Sequence, residues 1–162
     1  MSQLTEKELA KLREMIEIDE IKHTKLLYSH LMDTRRFDDM ANIFTEDAVC
    51  EFAHFGNWEG RETIRKNYHA VEEGIPSFGA MHGTCNHIVE LTGPDTAIGR
   101  SYLYEPSTQG EAGKTPFIYL GVYDEEYRKV DGKWLIARCT LQFLWPEKGT
   151  SEDFPGTFPK AL

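Results

Sequence analysis

The sequence predicts an α+β domain in which a curved mixed or antiparallel sheet wraps around a long N-terminal helix to make a cone-shaped barrel. Three observations predict it. A capped run with apolar residues at helical spacing opens the chain, and everything after Pro76 switches to strand-like segments. The last two of those segments are joined by Asp131-Gly132, a dipeptide that favours a tight hairpin.

The elements follow in order. Thr5-Glu6-Lys7-Glu8 has the form of a capping box, with the Thr5 hydroxyl placed for an amide three residues on and Glu8 reaching back. Leu9, Leu12 and Ile16, then Ile21, Tyr28 and Met32, sit at helical spacings, so a helix is expected to about Arg35, bent near Ile18. A short second helix is expected around Asp38 to Phe44. AVCEFAHFG reads as a strand, and NWEGRETIRKNYHAVEEG as a turn and a third helix with acidic residues near its N-terminus, where the helix dipole favours them. CNHIVELTG, TAIGRSYLYEP, PFIYLGVYDEEYRKV and KWLIARCTLQFLW are the strand candidates, with Gly93-Pro94-Asp95 a turn between the first two. Residues 1–162 are expected to form one domain. Its segment 146–162, with Pro155, Gly156 and Pro159, is expected to be a C-terminal loop or flap that brings Phe154 and Phe158 over an apolar surface.

Composition narrows the function. The chain of 162 residues is long enough for a real core, and its net charge of −9 leaves nothing to neutralise a phosphate backbone, so nucleic acid is not an expected partner. No apolar run reaches the roughly 18 residues of a membrane span, and no signal-peptide core follows the polar N-terminus. The 3 cysteines, Cys50, Cys85 and Cys139, are widely spaced and odd in number, which does not suit a disulfide framework. The cytoplasm is the expected location.

The stretch SFGAMHGTCNHIVEL places His82, Cys85 and His87 close together at a strand entrance. Metal binding, catalysis by a histidine and ordinary packing all compete to explain it. Metal fits worst. Cys85 and His87 would share one strand face and an extended His82 the other, and the chain has neither a paired Cys-x-x-Cys nor His-x-x-x-His on a helix. No metal or cofactor is expected. His82 can act as a general acid or base if a carboxylate orients it; otherwise it is a surface or capping histidine. Asp33 lies near a predicted helix C-terminus, where the dipole disfavours negative charge, so it is either compensated by an imidazolium or solvated beside Arg35 and Arg36. Tyr28 falls on the apolar stripe as a core tyrosine or a donor at the core's edge. Tyr28 and Asp33 stand about 140° apart on an ideal helix, so they share a pocket only if the site wraps the helix tip. Glu105 shares a strand face with Ser101 and Leu103, opposite Arg100, Tyr102 and Tyr104, and is either a solvent-exposed strand-end glutamate or a pocket residue.

LLYSHLMDTRRFDDMANIFTEDAVCEF, FGNWEGRETIR, GRSYLYEP and YRKVDGKWLIARCTLQF together resemble the nuclear transport factor 2-like superfamily, and within it the SnoaL-like branch, over roughly residues 15–145. That superfamily holds scytalone dehydratase, bile acid 7α-dehydratase, hexachlorocyclohexane dehydrochlorinase, isomerases and polyketide cyclases, and also the non-catalytic β subunits of aromatic-ring dioxygenases. The resemblance to the bile acid enzyme implies a catalytic role for His82, with Tyr28, Asp33 and Glu105 at its tyrosine and acidic positions. Phe143 departs from the pattern, because a basic residue is expected there.

What the residues and the resemblance imply together is a cofactor-independent lyase of the dehydratase type, working by acid–base elimination on a small hydrophobic, hydroxylated aromatic or cyclic molecule. Isomerisation, or carbon–carbon cleavage releasing formaldehyde, needs the same parts. The alternative class is a non-catalytic dioxygenase β subunit or a ligand-binding module. Expected cavity walls are Phe52, Phe55, Trp58, Phe78, Leu103, Leu141, Phe143 and Trp145. Self-association as a dimer or trimer is expected through an outer sheet face carrying Tyr102, Tyr104 and Tyr119.

Overall fold

Thr5 caps the first helix as its sequence requires. In the computed structural model, which describes residues 4–74, 79–107 and 117–160, the Glu8 amide donates to the Thr5 hydroxyl at 3.3 Å and the Thr5 amide donates to the Glu8 carboxylate at 2.7 Å. Helix α1 runs Glu6–Asp33 and ends before the expected Arg35, because Arg35 adopts a left-handed φ of 56°. Only its C-terminal half is buried, through Ile21, Lys25, Tyr28, Ser29, Leu31 and Met32. Leu9, Leu12 and Ile16 keep helical spacing but are exposed.

Helix α2 is Phe37–Ala41, shorter than expected, since Phe44 already opens β1 (Phe44–Glu51). The AVCEFAHFG segment is not one strand. A 3-10 turn at Ala53–Phe55, with Ala53 at φ 47°, reverses the chain into β2 (Asn57–Glu59). Then come α3 (Arg61–Gly74), β3 (Gly83–Leu91), β4 (Thr96–Ser107), β5 (Phe117–Val130) and β6 (Lys133–Trp145). At the β5–β6 hairpin, Asp131 and Gly132 have φ 50° and 77°, as a type I′ turn demands. A Cβ at Gly132 meets nothing within 4 Å, so only backbone strain resists substitution. Gly132→Val is therefore expected to cost about 1–2 kcal/mol, with Gly132→Asn costing less; thermal unfolding of the two variants checks this.

The sheet is six-stranded, in the order β2-β1-β6-β5-β4-β3. β1 runs parallel to β6 and every other pairing is antiparallel. The sheet is mixed and curved but does not close into a full barrel, because β2 and β3 remain as its edges. Helix α1 lies against β3 and β6 across the concave side, tied to β3 by the Ser29 and Thr84 hydroxyls at 2.7 Å. Helix α3 covers β1 and β2. The core between these layers includes Phe44, Met40, Ile64, Tyr123 and Ile136.

The outer face differs from expectation in two respects. Tyr102 and Tyr104 are exposed there, but Tyr119 is buried and points to the interior, because it shares the β5 parity of Tyr123 and Tyr127. The C-terminal segment is pinned to the sheet by the Ser151 amide, which donates to Gln142 at 2.7 Å. It then crosses the outer side, where the Phe154 and Phe158 rings stand 5.4 and 6.0 Å from the Arg100 guanidinium. Among the described residues no helix is long and apolar enough to cross a membrane.

Candidate active site

The site begins at the tip of α1. Asp33 is the last helical residue, so its charge meets the unfavourable end of the helix dipole. His82 compensates twice. Its backbone N–H donates to both Asp33 oxygens, at 3.1 and 3.0 Å, and its ring Nδ1–H donates to Oδ1 at 2.6 Å. A carboxylate accepts, so in the neutral ring the proton belongs on Nδ1, which turns the Nε2 lone pair away from Asp33. That Nε2 lies 3.6 Å from Oε2 of Glu105, with the His82 side chain 7% exposed and that of Glu105 9%. A carboxylate, an imidazole and a second carboxylate thus stand in line, the first 23% exposed and the others almost dry.

Glu105 reaches this place because the inward parity of β4 carries it with Ser101, Leu103 and Ser107. Burial pushes its carboxyl above the ordinary range; His82 opposes the shift, and Asp33 adds to it. A raised folded pKa means that the stability Glu105 contributes is present below its unfolded value and lost as pH climbs through the folded one. Glu105→Gln is therefore expected to stabilise the fold near neutral pH, with the gain vanishing below about pH 4.5. Thermal midpoints of both proteins across that window test the sign.

Beyond His82 and Glu105 opens a cavity of about 80 Å3, smaller than the several hundred typical of small-molecule sites. Of the expected residues it is lined by Tyr28, Phe52, Phe55, Trp58, Leu141 and Phe143. Phe143, where a basic residue was expected, is simply an aromatic wall. Two expected walls are absent among the described residues. Trp145 is 58% exposed, because a register shift at Leu120/Gly121 pairs it with the exposed Leu120 and takes it off the inward row of Leu141 and Phe143. Leu103 is buried in the core below the cavity and does not border it. Phe78 lies outside the described residues.

Asp33 does not line the cavity either. The angular offset from Tyr28 holds: Tyr28 faces the interior, while Asp33 reaches the site only through His82. Tyr28 is both core and wall, its ring edge-on to Phe44 and Tyr123 and its hydroxyl 2.9 Å from that of Tyr68. Sequence reasoning missed Tyr68, along with Met32, Val71, Tyr119 and Tyr123. Ile64, Tyr68 and Val71 recur at helical spacing on α3, a signal that could have marked Tyr68 as inward.

The His82, Cys85 and His87 cluster separates in space. His82 turns to Asp33, Cys85 is exposed, and the His87 ring turns beneath the sheet to within 4.0 Å of Glu125. The expected shared face of Cys85 and His87 is broken by a bulge, where Asn86 takes φ 52° and the β3–β4 register shifts. Burial pushes His87 down to about 4. Among the described residues no group of three or more His, Cys, Asp or Glu is placed to hold a metal ion.

A curved, unclosed mixed sheet around a long N-terminal helix is the nuclear transport factor 2-like fold. Within it the chain belongs to the SnoaL-like family: the SnoaL-like domain model matches residues 13–140. An uncharacterized protein of Mycobacterium tuberculosis, Rv2910c, is 31% identical over 121 residues, covering 74% of this chain and 80% of its own. The structure of a candidate scytalone dehydratase from Novosphingobium aromaticivorans superposes with a TM-score of 0.75 at 23% identity, covering 86% of this chain and 95% of that one. LinA superposes with a TM-score of 0.70 at 21% identity, covering 85% and 90%. At these identities the two structures show a shared fold.

Proposed function

We propose that this protein is a cofactor-independent lyase that eliminates water from a small hydrophobic, hydroxylated cyclic or aromatic substrate by acid–base chemistry. The observation that carries the reading is the line Asp33–His82–Glu105, with its middle and far members buried at the cavity. His82 Nε2 takes a proton from a substrate carbon, and Asp33 holds the ring in the tautomer that can do so. The electron pair left on carbon forms the new double bond as the carbon–oxygen bond breaks. Glu105, whose carboxyl burial pushes above the ordinary range, gives its proton to the departing hydroxyl, which leaves as water. The base and the acid are 3.6 Å apart, so both protons move on one face of the substrate and the elimination is syn. A hydroxyl of the Tyr28–Tyr68 pair donates to another substrate oxygen, and the ring walls exclude water.

The small free volume favours a second reading, a binding module without chemistry whose cavity is largely filled by its own side chains. One screen separates them. Hydroxylated ring compounds are incubated with the protein, and the ultraviolet absorbance of a newly conjugated double bond is followed. Turnover that survives exhaustive EDTA treatment supports the elimination. Loss in EDTA with recovery on adding zinc overturns the cofactor-free mechanism, and no turnover of any compound that binds favours the binding module.

A further inference from the structure

Lys25 sits one turn before Tyr28 on α1 and has no part in the reaction above, yet it is fully buried. Its ammonium lies 2.8 Å from Glu125 Oε1, 3.3 Å from the centroid of the Tyr123 ring and 4.4 Å from that of Tyr28. Both rings line the cavity, so the cation lies directly beneath the cavity floor. Glu125 neutralises it from the other side. That carboxylate also accepts from the Tyr127 hydroxyl at 2.8 Å and the Cys139 thiol at 3.8 Å, and lies 4.0 Å from His87. Cys50 of β1 completes this buried surround. The pair is therefore polarised: its negative member is engaged by groups away from the cavity, while its positive member touches the cavity's own rings.

A cation on the face of a phenol is drawn to the ring's negative quadrupole, and more strongly as negative charge develops on the phenol oxygen. In a dry site that attraction is scarcely screened. It opposes the effect of burial, which pushes the Tyr28 and Tyr123 hydroxyls upward. The consequence is a stronger O–H donor at the cavity floor, where Tyr28 and Tyr68 already share a hydrogen bond of 2.9 Å.

We propose that Lys25 is a positioning residue that, acting through the Tyr28 and Tyr123 rings, makes the tyrosine hydroxyls of the cavity accommodate an anionic substrate oxygen of the enolate or phenolate type. This rests on the cavity being the substrate site, and it narrows the substrate to compounds that develop negative charge on an oxygen conjugated with the reacting carbon.

The test uses p-nitrophenol, whose absorbance distinguishes its neutral and ionised forms, bound to the full-length protein across its titration range. Wild type is expected to bind the phenolate in preference to the phenol, which lowers the probe's apparent pKa below its value in buffer. The double variant Lys25→Met/Glu125→Gln, which leaves no buried charge unpaired, is expected to lose about 10-fold of that preference, one unit of probe pKa, while neutral-phenol binding and thermal midpoint hold. Tyr28→Phe is expected to lose a similar factor, whereas His82→Gln retains the preference. A wild type that prefers the neutral phenol overturns the proposal without any variant. An unchanged preference in a folded double variant overturns it too, and loss confined to His82→Gln assigns the effect to the imidazole. Probe binding needs no turnover, so these outcomes are read separately from whether the protein is a lyase.

Discussion

His82→Gln is expected to lower turnover by about 10²–10⁴-fold, the usual worth of a positioned general base, with substrate affinity changed no more than a few-fold. Glutamine keeps the backbone N–H that binds Asp33 at 3.0–3.1 Å, so the loop carrying it should stay in place. It offers no basic nitrogen toward Glu105. Asp33→Asn tests the same machinery from behind. An Asn amide facing Nδ1 at the present 2.6 Å separation would donate to it, moving the ring proton to Nε2 and silencing the base. Turnover should then fall comparably while unfolding changes little, because the Asn carbonyl still accepts from the His82 amide. A kinetic comparison of the two variants on a substrate found by the absorbance screen decides. If both lose affinity in step with rate, His82 is holding the fold and the acid–base reading fails.

Local signals were reliable wherever local physics decides: the Thr5–Glu8 box and the Asp131-Gly132 turn stand where their side chains and φ angles require. Alternation on β4 set Glu105 on the face opposite Tyr102, as the observed burial pattern repeats, while a strand-end glutamate alone reads as solvent-exposed. Failures occur where a non-local fact intervenes. Asn86 inserts a bulge that inverts the relation of Cys85 to His87, and nothing in CNHIVEL announces it. Trp145 has the nominal parity of Leu141 and Phe143, but a register shift at Leu120/Gly121 sets it opposite the exposed Leu120. The Asp33–His82 contact spans 49 residues of sequence and came into view through the family resemblance and the oddity of an acid at a helix end. Tyr68 went unnoticed because an amphipathic stripe identifies an inward face without saying whether core or cavity lies behind it.

The buried pair behind the cavity is masked by residue type: Lys25 and Glu125 fall on the inward rows of Ile21 and Tyr28 and of Tyr123 and Tyr127, yet such side chains are almost never fully buried unless paired. Their burial sets up the largest stability effect expected in this fold. Lys25→Met should destabilise the protein by about 3–5 kcal/mol, because it strands the Glu125 carboxylate in a site where both side chains have no exposure. The hydroxyl of Tyr127 and the thiol of Cys139 are poor substitutes for an ammonium at 2.8 Å. Adding Glu125→Gln should recover most of the loss, since an amide can still accept from Tyr127 and a thioether chain fills the space between the Tyr28 and Tyr123 rings with favourable sulfur–aromatic contacts. Denaturant unfolding of the two single variants and the double variant closes a cycle whose coupling energy isolates the pair. Single and double variants of equal stability would mean that Glu125 finds another partner or a proton once Lys25 is gone. A recovered double variant, in contrast, shows that the ion pair is dispensable for folding, and leaves the electrostatics of the cavity floor as the reason for a lysine there.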